Sequence, residues 1–281
     1  MRKQTGFEWR ITSRSPWLGV SLKELFSYKD LLLRMVRKDL LMYYQQTLLG
    51  PFWMLLQPIL TVLTYVVIFD KIIGLPTDGV PSFLFYLTGI TLWMLFADVF
   101  TGVSTTFAQN ANIFSKVYFP RIIAPLANLL LHVFRFVIQL LLLIIVIIYY
   151  HYSGKYSISG NWLLSVPVII VTAGIAFGGG LIFSVITVTY RDLTNFQQLL
   201  VRLLMFLCPI FYSLSMISGN KRWLVNLNPL APLFEAFRYC FLGKGHVSVQ
   251  SLVYSALFML IICLSGILIF NKKSDRLIDV I

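Results

Sequence analysis

An all-α integral membrane protein with six spans is what this sequence predicts, and three observations carry the prediction. Of 281 residues, 58% are apolar and only 12% are charged, too few charges to cover a water-exposed surface of that size. The apolar residues gather into six segments, about 52–70, 83–106, 122–150, 162–189, 196–217 and 248–270, each near the ~20 residues that cross a hydrocarbon core. The mean hydropathy of +0.81 agrees. Finally, most of the basic residues behind the net charge of +12 fall on the side of the N-terminus once the spans are counted off. That is the positive-inside asymmetry, and it places both termini in the cytoplasm. Basic charge therefore reads as topology and contact with anionic membrane lipids, not as a nucleic-acid surface.

Three units are expected: a cytoplasmic segment over 1–50, a membrane domain over 51–270 and a cytoplasmic tail over 271–281. The first ten residues hold no apolar run, so no cleaved signal peptide is expected. Ser21-Leu22-Lys23-Glu24 fits a capping box that starts a helix. Leu22, Leu25, Phe26, Leu33, Val36, Leu40 and Tyr44 then follow a three-to-four spacing that only Lys29 interrupts. Such a stripe predicts an amphipathic helix lying in the membrane interface, ended by Gly50-Pro51. Gln57-Pro58 predicts a kink in the first span.

Between the second and third spans, residues 109–121 are polar, then briefly amphipathic, then stopped by Pro120, which predicts a short cytoplasmic helix. The fourth span carries Gly174-x-x-x-Gly178 and Ala176-x-x-x-Gly180, spacings that let helices approach closely; packing within one subunit is preferred over a dimer seam. Residues 218–246 are too broken to span and too apolar for a plain loop. Within them Asn228, Pro229, Pro232, Glu235 and Arg238 suggest two short helices hinged at the prolines and re-entrant from the outer side. Glu235 and Arg238 are spaced to pair across one turn.

The sharpest internal signal lies in the third span. Asn128, His132, Arg135 and Gln139 recur at i, i+4, i+7 and i+11, on one helical face. Polar groups at that depth face a bundle interior or a wet cavity. Two roles fit: a conduit lining that donates hydrogen bonds to hydroxyls or phosphate, or a structural ion-pair network. For Asp98 the expected partner is Arg202, with Arg135 second. Tyr86, Trp93, Phe96 and Phe100 share a face of the second span; they suit stacking on sugar rings in a conduit, although aromatics facing lipid or forming an interfacial belt are commoner.

Several activities are disfavoured. No Gly-x-x-x-x-Gly-Lys-Ser/Thr loop is present, so this chain is not expected to bind ATP. The three histidines are dispersed, and Cys208, Cys240 and Cys263 are scattered; neither a metal site nor a disulfide framework is expected. A membrane-embedded glycosyltransferase would need clustered acids or a metal, whereas Asp98 stands nearly alone. A secondary transporter would show inverted repeats, and none is evident. The chain reads as a transport subunit, not an enzyme, with no cofactor of its own.

The order of these parts resembles the ABC-2 type permeases that export cell-surface polysaccharides. The matching features are the interfacial helix, Gly50-Pro51-Phe52-Trp53 leading to Gln57-Pro58, the short helix after span two, Tyr190-Arg191-Asp192-Leu193 after span four, and the Asn228-Pro229 to Phe237-Arg238 stretch. The likeness covers roughly 22–270. It implies a homodimer in the bacterial inner membrane, working with two copies of a separate ABC ATPase that binds ATP and Mg. It implies a lipid-linked polysaccharide of the O-antigen (lipopolysaccharide) type as cargo, with teichoic acid and capsule exporters sharing the pattern. It further implies that the short cytoplasmic helix, through Asn112, Phe114, Lys116, Tyr118 and Arg121, couples to the ATPase, and that the broken outer helices flank the exit.

Overall fold

All regular structure is helical in the computed structural model, which describes residues 22–45, 47–114, 119–157, 161–190, 192–217, 223, 225 and 227–277. The interfacial stretch forms two helices, α1 (Leu22–Ser27) and α2 (Lys29–Tyr44), with the chain turning at Tyr28. The capping residue Ser21 lies outside the described residues. Gly50, at φ +51°, starts a single 3₁₀ turn over Gly50–Phe52 that redirects the chain into α3 (Trp53–Tyr65). Pro58 sits inside α3 and is buried against protein, the setting in which a membrane helix tolerates proline. The helix then widens into a π-turn segment, Val66–Ile72.

Next come α4 (Ser82–Ser104), α5 (Thr106–Phe114), α6 (Ile123–Tyr152), α7 (Ser165–Thr189) and α8 (Leu193–Leu207), followed by α9 (Ala231–Leu242) and α10 (Val249–Leu277). The short helix expected near 109–120 begins earlier, at Thr106, and is separated from α4 by Thr105 alone. Hydroxyls explain the bend: Ser104 and Thr105 donate to the Thr101 carbonyl at 2.8 and 3.0 Å, and Thr106 donates to the Gly102 carbonyl at 3.2 Å. Such back-bonding competes with the helical ladder.

Among the described residues, five helical segments are long and apolar enough to cross a membrane: 50–72, 82–104, 123–152, 162–189 and 249–273. The sixth expected span, 196–217, is not a continuous helix. α8 has 15 residues, about 22 Å at 1.5 Å per residue, and stops at Leu207. Cys208 turns extended, with ψ 144°, because a residue before proline is pushed out of the helical region and Pro209 follows. The final helix also runs on to Leu277, past the expected end at 270.

α4 and α7 pack side by side at the centre. α6 covers the other side of α4, α2 lies against α6, and α10 lies along α7. α3 and α8 are peripheral. α9 fits between α4, α7 and α10. Because α4 meets neighbours all round, its residues from Leu84 to Trp93 are buried without interruption. The outward stripe Val253, Leu257, Leu260, Ile261, Leu264 and Leu268 on α10 is exposed, as a lipid-facing surface requires.

The close-approach glycines of α7 act within the protomer. A Cβ on Gly178 would lie 2.7 Å from the Ile262 carbonyl and the Cys263 nitrogen, and one on Gly266 would lie 2.6 Å from the Gly178 oxygen. Here α7 and α10 touch backbone to backbone. Gly180 allows the same intimacy with Val103 of α4.

Candidate functional site

Two buried polar sites lie toward opposite ends of α4. The first surrounds Asp98. α6 brings Asn128, His132 and Arg135 to it on one face, as their spacing predicts, and α4 supplies Asp98, Thr101 and Gly102. Gln109 and Asn110 of α5 and Lys38, Asp39 and Met42 of α2 complete the walls, and the half-open cavity measures about 670 Å³. The Asp98 carboxylate lies 3.7 Å from Arg135 Nη1 and 3.9 Å from His132 Nδ1.

Arg135, not Arg202, is therefore the partner of Asp98. The expected Asp98–Arg202 pair fails because Arg202 lies on peripheral α8 with its side chain exposed, whereas α6 packs directly along α4. Gln139 is buried two turns below His132 and is outside the cavity wall.

A hydrogen-bond relay fixes the floor. Asn128 Nδ2 donates to Thr106 Oγ1 at 3.1 Å, and Asn110 Nδ2 donates to the Thr106 carbonyl at 3.0 Å. Thr187 ties α7 to the same corner by donating to the Ser104 carbonyl at 3.2 Å. On the rim, Lys38 and Asp39 are 4.0 Å apart, and burial pushes the Asp39 carboxyl above its usual range while Lys38 pulls it back.

The sequence reading missed Gly102. A Cβ there would collide with the His132 imidazole, so the glycine makes the room in which His132 lies against α4. A glycine between Thr101 and Val103 in an apolar helix was the available signal. Gly102→Ala should cost about 1–3 kcal/mol by overpacking, and that cost should vanish in a His132→Ala background. Unfolding midpoints of the four proteins in the cycle check this; an equal cost in both backgrounds would mean the glycine serves something other than the ring.

The aromatic quartet of α4 does not face a lumen. Tyr86, Trp93, Phe96 and Phe100 are each at most 6% exposed. Trp93 packs on Phe234 of α9 with ring centroids 6.4 Å apart, Phe96 stacks on Phe100 at 5.8 Å, and Phe100 meets Phe183 of α7 at 5.3 Å. The conduit and belt readings both give way to intrachain packing, because α4 is the central helix.

The second polar site is on α9. Arg238 Nη1 donates to Glu235 Oε1 at 2.8 Å, and both side chains are essentially inaccessible, at 1% and 0%. The pair expected from the i, i+3 spacing is present, with further partners. Arg238 Nη2 donates to the Pro209 carbonyl at 2.6 Å, and its guanidinium lies 3.9 Å over the Phe85 ring. Glu235 accepts from the backbone nitrogens of His246 at 3.0 Å and Leu214 at 3.4 Å. The pair thus clasps the irregular segments before and after α9 onto α4.

Asn228 adds an Asx turn, accepting from Leu230 N at 3.0 Å and donating to the Leu207 carbonyl at 3.2 Å. Pro229 accepts from Ser255 of α10 at 2.7 Å, and Pro232 occupies the first turn of α9, where its missing N–H costs nothing. The segment expected as two short helices hinged at the prolines and re-entrant from the outer side contains one described helix, Ala231–Leu242, packed among α4, α7 and α10.

Of the expected coupling residues, Asn112 and Phe114 lie in α5 and Arg121 in the half-buried turn before α6. Lys116 and Tyr118 lie outside the described residues.

The profile of the ABC-2 type transporter family matches residues 30–242. A Klebsiella pneumoniae protein named O-antigen export system permease protein RfbA is 31% identical over 255 residues, 90% of this chain and 95% of its own length. A second protein of that name from the same species is 29% identical over 94% of this chain and all of itself. One from Myxococcus xanthus is 24% identical over 91% and 96%.

Proposed function

The chain belongs to the ABC-2 type transporter family, and from that premise we propose that it exports a lipid-linked polysaccharide of the O-antigen type across the bacterial inner membrane. It is a permease homologous to O-antigen export permeases, and the observation that carries the cargo assignment is that this homology runs nearly end to end in both partners. The working unit is a homodimer with two copies of a separate ABC ATPase, which bind ATP and Mg. Both termini are placed in the cytoplasm, the side that the distribution of Lys and Arg favours, with α8 and the chain up to residue 217 taken as the sixth crossing.

Within that unit the cavity around Asp98 lies toward the cytoplasm, since α2 and α5 border it, and the Asn228–Arg238 segment lies toward the exit. From Phe85, under the clasp, to Gly102, at the cavity, is about 25 Å of helix, close to a bilayer core. ATP-driven strokes enter through α5, continuous with α4 across Thr105, and through α2.

Expression of the chain with its ATPase in a Klebsiella pneumoniae strain lacking its own O-antigen export permease tests the cargo. Restored surface glycan is expected; cytoplasmic accumulation of lipid-linked glycan in the presence of the assembled complex would reject the assignment. The coupling route has its own test. Phe114→Pro removes a backbone N–H from the last turn of α5 and crowds the Asn110 carbonyl. Export should fall to background while membrane insertion and ATPase association persist, and normal export by this variant would remove α5 from the mechanism.

A further inference from the structure

We infer that the cavity among α2, α4, α5 and α6 binds an uncharged, hydroxyl-rich group, a sugar ring of the exported chain; the inference rests on the polysaccharide reading above. The first argument is charge. Arg135 and Lys38 line the walls together with Asp98 and Asp39. A phosphate entering here meets two carboxylates, and an ammonium meets two cations. Like charges at short range in a partly dry site are mutually destabilising. A hydroxyl meets no such penalty, because each one donates once and accepts twice, and the walls offer both kinds of partner.

The second argument is an unfilled valence. His132 is 8% exposed, and its Nδ1 has no hydrogen-bond partner among the described residues. It lies 3.9 Å from Asp98 Oδ2, and Arg135 Nη1 lies 3.7 Å from the same oxygen. Both separations exceed a hydrogen bond. The groups converge without closing on one another. An oxygen placed beside them can donate to Asp98 and accept from the ring N–H or the guanidinium. A buried imidazole nitrogen left open in this way is costly and marks a place where something else completes the set.

The third argument is shape. About 670 Å³ falls within the range of sites that enclose small molecules. Among the lining residues, Leu131, Met42 and Gly102 offer apolar surface to the C–H face of a ring, and Asn128, Gln109 and Asn110 offer amides to its hydroxyls. Lys38, half exposed on the rim, leaves the mouth beside α2.

The test uses the full chain in nanodiscs with Cys208, Cys240 and Cys263 replaced by alanine. Thr101, exposed on the cavity wall, becomes the reporter as Thr101→Cys. Its rate of reaction with a small methanethiosulfonate is followed with mannobiose, galactobiose or inorganic pyrophosphate present at millimolar concentrations. Either neutral disaccharide should slow labelling several-fold and pyrophosphate should not. Asp98→Asn should abolish the protection, and Gln109→Ala, a milder change at the wall, should weaken it. Protection by pyrophosphate but by neither sugar would make this an anion site and overturn the inference, as would labelling that no probe slows. The complementation experiment separates the two readings. Export without protection overturns the sugar site and leaves the permease function standing, whereas protection in a complex that carries no glycan supports the site and rejects the cargo.

Discussion

Truncation of Arg238 to alanine is expected to cost about 3–5 kcal/mol, the usual consequence of leaving a buried charge unpaired. Glu235 has no access to water and would keep only two backbone N–H donors, from Leu214 and His246. The Pro209 carbonyl would lose its guanidinium donor at the same time. Thermal unfolding of the purified protein in detergent measures the loss, and a midpoint within error of the parent protein would show that the clasp contributes nothing. Buried ion pairs can often be replaced by apolar residues without harm, but this one should resist. Glu235→Leu with Arg238→Leu removes both charges and still strands the buried Pro209 carbonyl and Leu214 N–H, each costing about 1–3 kcal/mol when buried unpaired. The double variant should therefore remain well below the parent.

The second large effect is expected at the α7–α10 crossing. Overpacking ordinarily costs about 1–3 kcal/mol because side chains can turn aside. At Gly178 the obstacle is backbone, the Ile262 carbonyl and the Cys263 nitrogen, and the helix axes must separate. Gly178→Leu should exceed that range and leave little monodisperse protein after extraction. Gly174 provides the control, because its added methyl meets the flexible Met259 side chain. Gly174→Ala should be much milder than Gly178→Ala; equal losses would mean that the backbone contact is not what limits the approach.

These examples also show what the sequence reveals and what it hides. The i, i+4, i+7, i+11 spacing placed Asn128, His132, Arg135 and Gln139 on one face because helical geometry alone decides that. The Glu235–Arg238 pair was legible for the same reason. Their remaining partners were not, since Pro209, Leu214 and Phe85 are far away in sequence and local periodicity carries no tertiary information. Asp98 illustrates the point: matching depth in the membrane favoured Arg202, but the choice depended on which helix lies beside α4. Gly102 helps decide that by admitting His132, and a lone glycine in a span does not announce its neighbour. The aromatic quartet misled because a stripe of rings looks alike toward lipid, toward a lumen or within a core. Hydropathy ran through Cys208-Pro209, although the proline itself marked the end of α8.

α9 has a consequence for how the protein is made. With 12 residues it spans about 18 Å, too short to be delivered to the bilayer as a segment of its own, and its ion pair is costly in lipid without the backbone partners that complete it. Its berth exists only after α4 and α7 have been laid side by side, and its clasp on Pro209 and Leu214 requires α8 to have been translated. Biogenesis must then proceed in two acts: long helices inserted one by one, followed by the lodging of a short wedge once the C-terminal helix has arrived to hold it. Nascent chains arrested before α10 should leave Tyr239, at the edge of α9, fully open to protease, and chains arrested after α10 should not. Protection that appears before α10 is made would place the lodging of the wedge ahead of the helix that confines it.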